Sequence, residues 1–434
     1  MKILKRDLHA VIALAAFIVL ALLVSYLLIV LFKTSPFGLP KISAPTVYDG
    51  LSYYNEISAY SEDIRSLNLV GVLKAYGVLV VVLYSPIIIF PSVASWWALT
   101  VNCILLFYSA ILFAVALDKC ATHSASFFCS SSTIFSTAIP KAGVSPLAVF
   151  SSVLLVLLNL YYIGSVFVPS KDILALALSL SYLFVLVRTI TCHAQLRRPL
   201  AYVLTQLSFI LLLALFVRIT LFLSLALATF YYILLSRRRM GLLSSPIFLY
   251  LLSAVFFSSL FLVFQSVPFE SAGSLLNNFL ASPFKFAFIP FLPFIYSLWD
   301  FLKAPGAGLD SLNIVQLAFS LNGITILPLL LSFFACLYTG NNRFQHGSSR
   351  CLWVMTSIVL SGPISSGYVH VRYIYEFIPW ILVAFALSNG YAYIRLYLFR
   401  LFPLAALAKL ILGLGGLLVR SPNLPPYTLP PHLL

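Results

Sequence analysis

Carboxylates are scarce in this chain. Eleven Asp and Glu serve 434 residues, and charged residues of both signs make up only 9% of the sequence. Soluble domains average about 25% charged residues and roughly 45–50% apolar ones, whereas the apolar share here is 62%. So few charges argue against a water-facing globular surface. Several chemical signatures are missing as well. There is no HExxH helix, no Walker loop, no GxSxG elbow and no Cys/His metal spacing, which removes the common motif-borne hydrolase and nucleotide chemistries. The six cysteines, Cys103, Cys120, Cys129, Cys192, Cys336 and Cys351, contain no CxxC pair and read as buried free thiols. No acid lies in the middle of an apolar run and no internal repeat is visible, so ion-coupled transport through an inverted-repeat fold gains no support.

What is present is a series of apolar runs, each near the ~20 residues a helix needs to cross a bilayer. The expected fold class is all-α, a polytopic integral membrane protein with about eleven or twelve transmembrane helices. Spans are read at about 10–31, 67–90, 96–117, 146–168, 172–190, two within 199–235, 244–265, 313–338, 352–366 and 374–394. A short crossing within 124–140 is added, because without it the later basic clusters would face outward. The stretch 401–419 is left as either a span or an interfacial helix. Residues 1–420 form one membrane domain with outer loops at 33–66 and 266–312, and the Pro-rich tail 421–434 reads as disordered. The net charge of +15 resides in short Lys/Arg clusters between spans. That is the pattern of cytoplasmic loops, not of a nucleic-acid surface, and it places the amino terminus in the cytoplasm.

On this topology ten of the eleven acids fall on the outer half, all but Asp7. Acids do not set orientation, so their sorting marks the outer face as the functional one. The segment Pro45–Glu56 there carries Asp49, Tyr53, Tyr54 and Glu56. Lys171 and Asp172 open a span after Pro169 and Ser170, a pattern that also suits a Ser cap with an acid at the positive end of the helix dipole. Arg218 stands between two spans, either snorkelling or offering a bidentate phosphate ligand. His370, Arg372, Tyr373 and Glu376 form a further group, which reads equally well as an interfacial anchor.

Three pieces of sequence resemble bacterial oligosaccharide repeat-unit polymerases (of O-antigen or capsule) and the related GT-C membrane glycosyltransferases. They are the outer-loop stretch Tyr48–Glu56, the turn Pro169-Ser-Lys-Asp-Ile-Leu174, and His370-Val-Arg-Tyr-Ile-Tyr-Glu-Phe-Ile-Pro379. Asp49 is followed by Gly50 and not by a second acid, which departs from the metal-assisted carboxylate pair of GT-C enzymes. The resemblance implies a multi-pass enzyme of the bacterial inner membrane. Such an enzyme polymerises polyprenyl-diphosphate-linked repeat units on the periplasmic face, alongside other polysaccharide-assembly proteins. In that reading Asp49 or Glu56 positions or deprotonates the acceptor hydroxyl. Lys171, Arg218 and Arg372 stabilise the leaving diphosphate, and Tyr53, Tyr54, Asp172, His370 and Tyr373 line the substrate site. No cofactor is expected, and a divalent metal has no ligand pair to support it. Two alternatives stay open: a GT-C enzyme adding single sugars from a polyprenyl-phosphate donor, and a lipid-linked oligosaccharide flippase or other transporter.

Overall fold

A computed structural model describes residues 57–66, 68, 77–90, 94–130, 144–159, 161–162, 165–166, 169–192, 200–237, 245–264, 297–298, 301–302, 314–339, 347–362 and 372–419. Among these residues every regular element is a helix. Four short helices come first or stand apart: α1 (Ser61–Arg65), α2 (Val78–Tyr84), α3 (Pro86–Ile89) and, later, α12 (Arg372–Tyr375). The bundle is built from α4 (Ala94–Ser130), α5 (Pro146–Ser152, continued by a π turn, Val153–Leu157), α6 (Lys171–Cys192), α7 (Leu200–Leu215), α8 (Ile219–Arg237) and α9 (Pro246–Phe264). It is completed by α10 (Ile314–Thr339), α11 (Gly347–Ser361), α13 (Ile378–Asn389), α14 (Tyr391–Leu396, passing through a π turn, Tyr397–Leu401) and α15 (Phe402–Val419).

Local chemistry sets the ends of these helices. The Leu147 amide donates to the Ser145 hydroxyl at 3.3 Å, capping α5, with Pro146 in its first turn. The Ile173 amide donates to the Ser170 hydroxyl at 3.3 Å, so the Ser cap read from the sequence at α6 is present. Gly390 ends α13 with φ of 60°, a conformation that costs other L-residues energy.

Side-chain pairings fix the helix directions. Tyr108 of α4 meets Ser181 of α6 at 3.0 Å, and farther along both helices Lys119 lies 5.3 Å from the Phe184 ring, so α4 and α6 run parallel. Arg218 and Thr229 of the α8 strand of chain meet Asp172 and Tyr182 in the same order. Glu376 and Trp380 likewise meet Arg218 and Ser179 before α13 ends near Ala121 of α4. Helices α4, α6, α8 and α13 therefore all start at one end of the bundle, here called the first end. Helix α5 returns antiparallel to α4: Ser145 pairs with Asp118, and Ser152 donates to the Ala110 carbonyl at 2.6 Å. Helix α11 returns antiparallel to α13, with Ser349 at 2.5 Å from Ser388. Their core is aromatic: Trp353 stacks on Phe333 at 5.3 Å and meets Phe385 edge-on at 4.9 Å.

Among the described residues three helical stretches are long and apolar enough to cross a membrane, Trp97–Ser124, Lys171–Thr191 and Asn322–Thr339. Two stretches read from the sequence can be set beside the structure. Of the run 67–90, residues 67 and 69–76 lie outside the described residues. Its described part is the broken pair α2 and α3, with Ser85 and Pro86 at the break. Both helices sit at the first end, where the Leu79 amide donates to the Phe216 carbonyl at 3.2 Å and the Trp97 indole donates to the Leu83 carbonyl at 3.0 Å. Val80, Val81, Tyr84 and Ile87 are buried. Helix α4 starts at the first end, so Asp118 lies at the opposite end from Asp172 and Glu376. Of the crossing expected within 124–140, residues 124–130 continue α4 and residues 131–140 lie outside the described residues. The second stretch is the end of the chain. Residues 391–419 turn back at Gly390 and run antiparallel to α10, with the Tyr397 hydroxyl donating to the Thr325 carbonyl at 2.9 Å. Lys409 is buried and donates to the Phe301 carbonyl, its ammonium 5.5 Å from the Phe301 ring.

Candidate functional site

The first end holds a layer of buried polar groups. Helix α6 begins with Lys171 and Asp172, both buried. Arg218 is the last of the three residues, Phe216–Arg218, that link α7 to α8; its amide donates to the Ala214 carbonyl at 2.8 Å, and its carbonyl accepts from Phe222 at 3.0 Å. The guanidinium is therefore held at the junction of two helices, aimed inward. It contacts Asp172 through Nη2. Through Nη1 it reaches Glu376, at 3.3 Å from Oε2 and 3.5 Å from Oε1. Glu376 sits in the turn between α12 and α13, where the Phe377 amide donates to the Ile374 carbonyl at 2.9 Å. All three charged side chains are at most 6% exposed. Burying ions is costly unless they are paired and hydrogen-bonded, and here one guanidinium faces two carboxylates.

The two acids are not equivalent. Asp172 uses one oxygen on Arg218 and takes the Tyr161 hydroxyl on the other. Among the described residues Glu376 has the longer contacts to one guanidinium nitrogen, with Lys171 and the Tyr162 hydroxyl within electrostatic reach. Tyr161 packs edge-on against Tyr162 at 5.8 Å and Tyr375 at 5.7 Å. The Tyr162 hydroxyl is buried and has no hydrogen-bond partner among the described residues.

The irregular chain before α6 is fastened by amide side chains. Asn102 of α4 donates to the carbonyls of Ser165 and Val166 at 3.3 and 2.9 Å. Its own carbonyl accepts from Tyr84 at 2.5 Å. Asn159 accepts from Asn322 of α10 at 2.8 Å and from the Tyr161 amide at 3.1 Å. These bonds hold Tyr161 and Tyr162 over the ionic cluster.

Of the residues proposed from the sequence, Lys171, Asp172 and Arg218 come together. Asp49, Tyr53, Tyr54, Glu56 and His370 lie outside the described residues. Arg372 and Tyr373 form the backbone of α12, which leads into Glu376, and their side chains are outside the description. Arg218, expected as a phosphate ligand, is paired with both Asp172 and Glu376. Tyr161, Tyr162, Asn102 and Asn159 were not singled out from the sequence. Their signal was the rarity of Asn and paired Tyr at the ends of apolar runs. Among the described residues no group of three His, Cys, Asp or Glu is placed to hold a metal ion. No protein family, curated protein or solved structure matches this chain.

Proposed function

We propose that the chain is a polytopic membrane glycosyltransferase of surface-polysaccharide assembly, polymerising polyprenyl-diphosphate-linked repeat units at the first end of the bundle. The observation that carries this reading is the meeting of two separate segments. The stretches 169–174 and 370–379 are those whose sequences resemble the polymerases, and Arg218 joins Asp172 of one to Glu376 of the other. Charged groups inside a helical membrane bundle are a functional site by default.

The membrane placement has its own support. Large apolar side chains face outward around the bundle, among them Ile104, Phe209, Val255, Phe399, Leu404 and Ile411. A continuous exposed surface of this kind suits lipid and not water. Along α4 the polar residues Asn102 and Asp118 are sixteen apart, about 24 Å at the rise of an α-helix. From Glu376 to Tyr391 the separation is fifteen residues, about 22 Å by the same rise. The two buried polar layers thus bracket most of a hydrocarbon core of about 30 Å. Lys119, Arg188 and Arg350 lie toward the second end, which by the positive-inside rule is cytoplasmic. The first end then faces the periplasm of a bacterial inner membrane.

Within this reading Glu376, the less committed acid, orients or deprotonates the acceptor hydroxyl. Asp172 and Arg218 form the scaffold that holds it. Lys171 and Arg372 are assigned to stabilise the diphosphate leaving group, and Tyr162 supplies a hydroxyl donor. Asp49, Glu56, Tyr53, Tyr54, His370 and Tyr373 complete the proposed substrate site. Deleting the gene and resolving the surface glycans on a gel tests the proposal. The expected pattern is loss of long chains with a single repeat unit retained. Loss of one sugar from every chain would assign single-sugar transfer instead, and an unchanged ladder would overturn both.

A further inference from the structure

About two helical turns below the ionic cluster, the three helices that supply it are joined a second time. Ser179 of α6 donates from its hydroxyl to the Glu376 carbonyl at 2.9 Å and accepts from the Trp380 indole at 3.0 Å. Tyr182 of α6 stacks on Trp380, with ring centroids 5.7 Å apart and planes inclined by 23°. The Tyr182 hydroxyl pairs with Thr229 of α8 at 2.9 Å. The spacings place each lower residue under its upper counterpart. Ser179 follows Asp172 by seven residues, Trp380 follows Glu376 by four, and Thr229 follows Arg218 by eleven. At 3.6 residues per turn each separation returns to the same helix face.

Only one bond of this lower layer reaches the site itself. The Glu376 residue lies in a turn, outside the regular ladders of α12 and α13, and its carbonyl is held by a residue 197 positions away. The Trp380 indole takes a lone pair of the Ser179 oxygen, which directs the one Ser179 proton toward the Glu376 carbonyl. We infer that Ser179 is a positioning residue for Glu376: it sets the depth and rotation of the turn that presents the carboxylate to Arg218. This inference rests on the assignment of the first end as the reaction site. It adds a residue that touches neither the carboxylate nor the substrate.

The inference predicts different consequences for two bonds in the same layer. Ser179→Ala removes the hold on Glu376, Ser179→Thr restores a hydroxyl, and Tyr182→Phe breaks only the bond to Thr229. The readout is the Glu376 carboxyl band in pH-difference infrared spectra of the purified protein in micelles, assigned by its loss in Glu376→Gln. Among the described residues the groups acting on that carboxyl are Arg218, Lys171 and Tyr162, with Asp172 on the far side of Arg218 and Tyr375 beside Tyr162, and none of them is altered by the three substitutions. The expected result is a shift of the band's titration midpoint by at least about one pH unit in Ser179→Ala, return toward wild type in Ser179→Thr, and no shift in Tyr182→Phe. An unmoved band in Ser179→Ala, or an equal shift in Tyr182→Phe, overturns the inference, since a merely structural layer would treat both bonds alike. Glycan assembly is followed in the same variants. Normal assembly in a variant whose band has moved counts against the transferase reading and leaves the positioning role of Ser179 supported.

Discussion

The two ends of the bundle hold a carboxylate in different ways. At the second end Asp118 accepts from the Ser145 amide at 2.9 Å and from the Tyr391 hydroxyl. Both donors are neutral, and the residue is partly exposed. At the first end Asp172 also takes a tyrosine hydroxyl, but it is buried and contacts a guanidinium. The difference follows from water. A carboxylate at the rim keeps part of its hydration, so neutral donors suffice. A buried one needs a counter-charge. The second end thus staples α4 to α5 and α14 with one acid. The first end contains one more acid than that task needs. The extra one is Glu376, whose contacts to Arg218 are the longer ones.

The largest expected effect comes from removing the shared cation. Arg218→Met leaves two buried carboxylates unpaired, and breaking a buried pair in this way costs roughly 3–5 kcal/mol. Membrane yield and the thermal midpoint in detergent should both fall steeply, with Arg218→Lys intermediate because a point charge replaces a planar fork. A midpoint equal to wild type would remove the distinction between the two ends. Glu376→Gln comes next and separates stability from chemistry. The Asp172–Arg218 contact remains, so the protein should fold, while glycan polymerisation drops by the 10²–10⁴-fold typical of a lost general acid or base. Full activity in a folded Glu376→Gln protein would place the chemistry elsewhere.

A steric change near the first end sharpens the same comparison without touching a charge. A methyl group at Gly362 overlaps Ser224 where the end of α11 crosses α8. Gly362→Ala should therefore cost about 1–3 kcal/mol through overpacking, and Ser224→Gly in the same chain should restore most of the thermal midpoint. Polymerisation per folded molecule should stay near wild type. A loss as deep as that of Glu376→Gln would mean that any disturbance of this region abolishes activity. The smallest effect is expected at the second end. Tyr391→Phe removes one donor from Asp118, a loss of about 1 kcal/mol, seen as a slightly lower midpoint with an unchanged glycan ladder.

Parts of this picture were legible in the sequence for clear reasons. Ser170 before Lys171 and Asp172 is a local signal, since a cap acts within three residues, and it appears as expected. Arg218 stood out because a lone cation between two apolar runs has few benign positions. Its partners were illegible. Asp172 and Glu376 are 204 positions apart, and no spacing rule links residues that meet only through tertiary packing. The run 67–90 shows a limit of composition, because helices buried by protein and helices buried by lipid need the same Val, Ile and Leu; the Ser85–Pro86 step that divides α2 from α3 is visible in the sequence. Asn102 and Asn159 lacked a motif, but an amide inside an apolar helix must find partners, and both found backbone or amide groups around the site.

The order in which the cluster's members leave the ribosome has a consequence for insertion. Asp172 and Arg218 are 46 residues apart, whereas Glu376 follows Arg218 by 158. In the proposed membrane protein, helices α6, α7 and α8 can therefore bring Asp172 and Arg218 together before Glu376 is made. Glu376 is made much later and must find a guanidinium that is already engaged. On the membrane reading proposed above, chains truncated before α12 should therefore keep the Asp172–Arg218 pair while lacking Glu376 together with helices α12 to α15.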